Sequence, residues 1–266
     1  SGWRGVLKRF YYRTLLFAAR SWLEGVLATG HATADWVLKR GMARTKVIPF
    51  AYFLPVITSA EKVVQSPKGL FRFIFVGQFI ERKRLDLLIR ALASLSNFRF
   101  EFVVVGSGPL EAELYGQAIA VLGNRLRWIG RLPAEEVSKA IAQADCLVLP
   151  SRHDGWGAVV SEALMVGTPA ICSDRCGSAG AVRASGLGGV FPSGDLGRLQ
   201  ELLHECISSD KIQPEERRHL ASWARCLGAE AGASYLLNIL RYKESGIHQL
   251  LPPRSRSNYP HLIECN

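Results

Sequence analysis

The six cysteines do not form the two pairs of a zinc site. Cys172 and Cys176 are close in the chain, but no second pair and no neighbouring histidine completes a ligand set around them. Cys146, Cys206, Cys226 and Cys265 are scattered. That usage reads as buried apolar thiols in a reducing compartment, the cytoplasm. The leading residues lack the charge-then-apolar-then-small order of a secretion signal. Internal repeats, low-complexity stretches and a Ser/His/Asp constellation of the hydrolase kind are also missing. The chain opens on Ser1 rather than Met, which reads as a processing or fragment boundary.

What is present is a chain of 266 residues, 48% of them hydrophobic. That is room for one large domain or two small ones with a real core. Glycines fall singly at the ends of apolar runs, the usage of tight strand-to-helix turns in an α/β protein. The net charge of +10 is uneven. In residues 1–46, nine Lys and Arg face only Glu24 and Asp35, so +7 of the excess sits there. The remainder is only mildly basic, which argues against a nucleic-acid-binding fold.

The residues Trp3, Val6, Leu7, Phe10, Tyr11, Leu15, Leu16, Phe17, Trp22 and Leu23 predict an amphipathic helix within Trp3–Leu27. Charge interrupts it too often for a membrane span. Two readings are open for it: a helix lying on an anionic membrane surface, or one packed on a neighbouring domain. Short strands are expected at Val26–Gly30 and from Val47, with a helix over Ala32–Lys39 between them. Residues 55–70, with Pro55, Pro67 and Gly69, read as a linker. Strands are then expected at 71–76, 100–105, 126–129, 146–149, 169–172 and 189–191. Helices over 85–95, 110–122, 133–142, 158–166 and 195–207 separate them. This alternation implies a Rossmann-like parallel sheet with helices on both faces and a ligand at the carboxyl ends of the strands. A helical stretch over 214–243 and a loose tail over 244–266, with Pro252, Pro253, Arg254 and Arg256, complete the chain.

The stretch from Pro150 to Pro169 carries the chemistry. Asp154 and Glu162 stand eight residues apart around the glycine-rich turn Gly155-Trp-Gly157, just before a helix. A helix N-terminus offers free N–H groups and a positive dipole end, which suit a diphosphate. Glu162 can accept from two vicinal hydroxyls, as on a ribose, and Asp154 can do so for a hexose. In Gly77-Gln-Phe-Ile-Glu-Arg82-Lys83-Arg84 a glycine ends a strand and cations open the next helix. Lys83 is a point-charge partner for phosphate. Arg82 and Arg84 read as a solvated helix face. Gly106-Ser-Gly108-Pro109 is a common structural turn when taken alone. His153 reads as a loop histidine shaping the pocket.

The Asp154–Glu162 stretch resembles the signature of family 4 of the retaining glycosyltransferases, two acids separated by seven residues. The similarity runs from about Val26 to Tyr242. It implies a GT-B fold: two facing Rossmann-like domains with the active site between them. Residues 71–213 are similar to the second, nucleotide-sugar-binding domain, and 214–243 to the segment crossing back onto the first. Residues 1–54 are similar to the last part of the acceptor-side domain. The resemblance places Glu162 on the nucleotide ribose and Asp154 on the donor sugar, with Gly157, Ala158 and Val159 offering N–H groups. Lys83 would meet the diphosphate, Gly106 and Gly108 would border the nucleoside, and Arg131 would read the base edge. Gln78 stands where the family more often has Arg after the glycine Gly77, and Asp154 where it more often has Glu. Lys83 and Asp154 are the implied catalytic groups. The resemblance implies a UDP- or GDP-sugar as substrate, no cofactor or metal, and a glycan or lipid-linked acceptor, as in bacterial polysaccharide assembly. A non-catalytic nucleotide-sugar-binding or partner subunit is the rival reading.

Overall fold

The computed structural model describes residues 3–30, 32–55, 69–209 and 211–245. Most of the expected linker and tail, including Pro67, Pro252 and Cys265, lies outside them.

The largest unit is a six-stranded, wholly parallel sheet. Its strands are β3 (Phe71–Val76), β4 (Phe100–Val105), β5 (Leu126–Gly130), β6 (Cys146–Leu149), β7 (Ala170–Ser173) and β8 (Gly188–Phe191). All four residues of β6 and of β7 are buried. Continuous apolar runs of this kind need cover on both faces. Helices supply it: α3 (Leu85–Leu92), α4 (Glu111–Leu122), α5 (Ala134–Ala142), α6 (Ala158–Met165), α7 (Ala179–Ser185) and α8 (Leu196–Ser208). Asp195 caps α8, its Oδ1 accepting from the Arg198 N–H at 2.9 Å, a contact worth about 1 kcal/mol.

The spatial order is β5-β4-β3-β6-β7-β8. The chain starts in the middle at β3, winds out to β5, then returns to β6 on the other side of β3. The order reverses between β3 and β6, where the loops after the two strands diverge and leave a crevice at the carboxyl edge. This is the Rossmann-like arrangement expected from the alternating pattern.

The leading segment forms a smaller unit: α1 (Trp3–Ala19), β1 (Val26–Thr29), α2 (Thr33–Leu38) and β2 (Val47–Phe50). β1 and β2 pair in parallel. The chain closes with α9 (Pro214–Trp223) and α10 (Ala229–Ser245). α10 ties the two units together. Leu54 exchanges backbone hydrogen bonds with Leu227 and Ala229 at 3.1 and 2.8 Å. The Tyr235 hydroxyl donates to the Pro49 carbonyl at 3.1 Å, and its ring stacks on Phe50.

Three details differ from the sequence pattern. α1 stops at Ala19, short of the expected Leu27. The last helical stretch breaks over residues 224–228 into two helices, the second reaching Ser245, past the expected boundary at 243. α7 is not foreshadowed: its Ala-Gly-Ala-Val-Arg-Ala-Ser sequence has no amphipathic period, because small residues bury it.

Candidate functional site

Two loops meet at the crevice between β3 and β6. After β3 the chain runs through Gly77 into a short 3-10 turn at Glu81–Lys83. Arg84 then takes a left-handed conformation (φ 54°), the one positive φ at a non-glycine among the described residues. This kink separates three neighbouring cations. Arg84 turns to Asp86, with Nε 3.1 Å from Oδ1. Lys83 runs back over the strand end, so that a Cβ on Gly77 would lie 3.8 Å from its Cε. Arg82 reaches the other loop, donating from Nη1 to the His153 carbonyl at 2.9 Å. Arg82 is exposed, as expected, but its bond to the His153 carbonyl places it at the crevice.

After β6 the chain passes through Ser151, Arg152 and His153 to Asp154. The Asp154 carboxylate accepts from Lys83 Nζ at 2.5 Å, and Arg82 Nη1 stands 3.8 Å from the same oxygen. The Lys83 and Asp154 side chains are only 14% and 13% exposed, so the pair is shielded from screening. The backbone of Asp154 is clamped as well. Its N–H donates to the Arg175 carbonyl and its carbonyl accepts from Gly177, both at 3.0 Å. The loop after β7 thus holds the acid in place.

The chain then turns through Gly155 and Trp156 to Gly157, which sits at φ 81° and begins α6 without a side-chain cap. The first N–H groups of the helix, at Ala158 and Val159, are left for another acceptor. Trp156 is buried and donates from Nε1 to Ser161 Oγ at 2.9 Å, pinning the turn to α6. Glu162 lies half-buried on the second turn of α6, and burial pushes its carboxyl pKa upward. Sequence reasoning did not single out Ser151 and Ser178. Both hydroxyls are buried here without a hydrogen-bond partner among the described residues. Ser178 Oγ lies 3.3 Å from where a Gly157 Cβ would stand. A lone serine carries no sequence signal for this.

The glycine turn after β4 lines the same edge. A Cβ on Gly106 would lie 1.9 Å from the Gly77 carbonyl oxygen, and one on Gly108 would lie 2.5 Å from that of Phe79. These glycines let two backbones touch: Phe79 N–H donates to Ser107 and Leu110 N–H to Phe79, at 3.0 and 3.2 Å. Arg131, after β5, is exposed and donates from Nη2 to Ser107 Oγ at 3.3 Å. Gln78 is exposed at the mouth of the crevice. The turn after β1 also reaches the site: a Cβ on Gly30 would lie 3.0 Å from Gly177 Cα and 3.2 Å from the Gly155 carbonyl oxygen. Among the described residues no cluster of three or more His, Cys, Asp or Glu could hold a metal ion.

A cation–carboxylate pair at the reversal point of a parallel sheet, beside an uncapped helix start, is suited to a diphosphate bearing a polar group. Residues 56–225 match the family described as Glycosyl transferases group 1. The chain belongs to that family. It is 35% identical over 150 residues to a D-rhamnosyltransferase of Pseudomonas aeruginosa, covering 54% of this chain and 38% of that protein. It is 25% identical over 223 residues to a phosphatidyl-myo-inositol mannosyltransferase of Mycobacterium leprae, covering 81% and 57%. The chain thus spans about half the length of the curated relatives it matches. In fold it is similar to a lipopolysaccharide outer core galactosyltransferase, with TM-score 0.73, 19% identity and 83% and 62% of the two chains covered. An Anabaena protein in complex with UDP gives TM-score 0.71, 16% identity, and 88% and 68% covered. The chain is accordingly a glycosyltransferase-family protein with a GT-B, Rossmann-like fold, related to proteins of polysaccharide and glycolipid assembly.

Proposed function

We propose that this chain binds the donor in a retaining hexosyl transfer from a UDP- or GDP-sugar to a glycan or lipid-linked acceptor. The observation that carries the reading is the shielded Lys83–Asp154 pair at the crevice between β3 and β6. In the donor complex the diphosphate takes Lys83 and the N–H groups of Ala158 and Val159. Asp154, released from Lys83, accepts from hydroxyls of the hexose. Glu162 accepts from the ribose. Negative charge building on the leaving diphosphate is stabilised by fixed donors, with no metal in the scheme. Retention rests on the resemblance of the two-acid signature. The UDP seen with the Anabaena neighbour and the mannosyl and galactosyl transfer named for relatives suit this donor class.

A calorimetric screen of UDP, GDP, ADP and their sugars tests it. One nucleotide sugar should bind and should keep binding after chelation. Failure of every nucleotide would sink the donor reading, and a strict Mg²⁺ or Mn²⁺ requirement would sink the metal-free one.

A second reading is a nucleotide-sugar-binding subunit that works with a separate transferase, for which the same Lys83–Asp154 crevice would hold the donor. Transfer needs acceptor and donor held in attacking geometry. On the acceptor side the described residues supply only α1 and one parallel β-α-β unit. The 266-residue chain is expected to bind donor without turning it over. Adding an acceptor-side domain in trans should then restore transfer under either reading. Robust transfer by the chain alone would refute the subunit reading.

A further inference from the structure

We propose that Arg82 is a second cation of the diphosphate site, and that in the free protein the Asp154 oxygen Oδ2 stands where a phosphate oxygen of the donor binds. This rests on the donor reading above, to which it adds a ligand residue and an exchange of anions.

Three observations carry it. The first is convergence. Lys83 Nζ lies 2.5 Å from Asp154 Oδ2, and Arg82 Nη1 lies 3.8 Å from the same oxygen. Consecutive residues of a 3-10 turn diverge by about 120° around its axis, so two such side chains meet only at a common partner. Here that partner is one carboxylate oxygen. An anionic oxygen between a point charge and a planar fork is also how a phosphate oxygen is held. Asp154 Oδ2 matches such an oxygen in charge and size, and it already occupies the crevice.

The second observation is that Arg82 is held in place with most of its fork unused. Its backbone carbonyl accepts from the Arg152 N–H at 2.8 Å, and its Nη1 donates to the His153 carbonyl at 2.9 Å. Both anchors belong to the loop that carries Asp154, so main chain and side chain are tied to the acid's own loop. The bond to His153 is the one hydrogen bond its guanidinium makes among the described residues, which leaves the other N–H donors for a ligand. The Arg82 side chain is 44% exposed and that of Lys83 14%, so the fork forms the outer side of the pair. A fork fixed beforehand loses little freedom when an anion arrives.

The third is the balance of charge. Lys83 paired with Asp154 brings no net charge to an incoming diphosphate, both of whose phosphates are ionised. Arg84 is turned away by its left-handed φ and pairs with Asp86. Arg175 is 66% exposed and lies beside Asp174. Gln78, at the mouth, is neutral. Arg82 supplies the missing charge, and the swing of Asp154 towards the hexose frees both cations at once. One anion stands between them before and after, so Lys83 is never left shielded and unpaired. Because Asp154 goes to the hexose, the cations beside it meet the phosphate next to the hexose, the one a nucleoside monophosphate lacks.

Calorimetry of the 266-residue chain with UDP, GDP, UMP and GMP tests this. Arg82→Ala should weaken the preferred nucleoside diphosphate about tenfold and leave its monophosphate within about twofold. Arg82→Lys keeps the charge without the fork and should recover part of the loss. Arg152→Ala removes an exposed cation from the same loop and should change diphosphate affinity by less than about twofold. Asp154→Asn removes the resident anion, so UDP or GDP without a sugar should bind about tenfold tighter than to the parent. Equal losses of diphosphate and monophosphate on Arg82→Ala, or a loss matched by Arg152→Ala, would overturn the role of Arg82. Unchanged or weaker diphosphate binding by Asp154→Asn would overturn the exchange. Each of these results leaves the parent binding its nucleotide. A parent that binds neither UDP nor GDP would instead remove the donor reading, and this inference with it.

Discussion

Two glycine-rich turns lie on the same edge of the sheet and serve different ends. In the turn after β4, Gly106 and Gly108 are required by packing, because backbone atoms of Gly77 and Phe79 occupy the space a Cβ would need. That turn is a floor, holding the loop that carries Lys83. In the turn after β6, Gly155 has nothing within 4 Å of its would-be Cβ, and Gly157 supplies a left-handed start to α6. Gly157 itself packs on Leu149, and the carbonyls of Asp154 and Trp156 accept from Gly177 and Ser178, so what this turn leaves open is the space at Gly155 and the N–H groups of Ala158 and Val159. One turn uses its glycines to let two backbones touch; the other uses them to present a helix start.

Substitution can break the comparison. Gly106→Ala places a Cβ 1.9 Å from a carbonyl oxygen at φ 142°, and should cost about 3 kcal/mol or more in thermal or urea unfolding. Gly155→Ala should leave stability within about 0.5 kcal/mol. Equal losses at the two positions would erase the distinction. The next largest effect is at Lys83. Lys83→Ala removes the proposed phosphate partner and leaves Asp154 with the more distant Arg82. Donor affinity should fall by about 2–3 kcal/mol. Arg84→Ala, whose side chain pairs with Asp86, should change it by less than about 0.5 kcal/mol. The reverse order would place the phosphate on the other side of the Arg84 kink.

Much of the six-stranded unit is legible in the sequence. β-branched and aromatic runs such as Phe71–Val76 end at glycines, and the periodic stretches between them read as helices, so all six strands of the main sheet can be placed within a residue or two. The acid pair Asp154 and Glu162 is legible because its spacing straddles a glycine turn. What does not show is whatever depends on contact across the chain. Nothing in the order of residues says that Arg82 faces the crevice while Arg84 leaves it, since the separation depends on one backbone angle. The packing role of Gly106 and Gly108 depends on a loop from a different stretch of the chain, around Gly77 and Phe79. The clamp of Asp154 between Arg175 and Gly177 comes from strand order. The buried hydroxyls of Ser151 and Ser178 carry no local signal.

Glu162 sharpens the comparison from the helix side of the open turn. Glu162→Ala should weaken nucleotide affinity by about 1–3 kcal/mol, by calorimetry. Its pH dependence has a definite sign. Burial raises the carboxyl pKa in the folded protein, so the penalty on the charged form is present above that raised value. The penalty fades as pH falls through the raised value toward the ordinary glutamate value. Over that window the nucleotide-free protein should gain stability relative to Glu162→Gln. In the proposed donor complex the carboxylate accepts from two hydroxyls, so donor binding should weaken over the same window. Glu162→Gln should bind more weakly at neutral pH with a flatter profile. Parallel profiles for parent and variant would remove Glu162 from the ribose.

The smallest expected effect is at Arg131, on the floor side. Its guanidinium is exposed and meets Ser107 Oγ at 3.3 to 3.4 Å, contacts at the long end of the hydrogen-bond range. An exposed cation held this loosely contributes little to folding, so Arg131→Ala should leave the unfolding midpoint unchanged. On donor binding it should cost less than about 1 kcal/mol, because a solvated guanidinium gives up water contacts to make any new one. The loss should depend on the base: a group that reads the base edge affects UDP and GDP unequally, whereas a group that only adds positive charge weakens both alike. Calorimetry of parent and Arg131→Ala with both nucleotides separates the two. An equal loss for UDP and GDP that disappears at high salt would reduce Arg131 to background charge. The turn after β4 would then be floor throughout, with base recognition placed elsewhere along the edge.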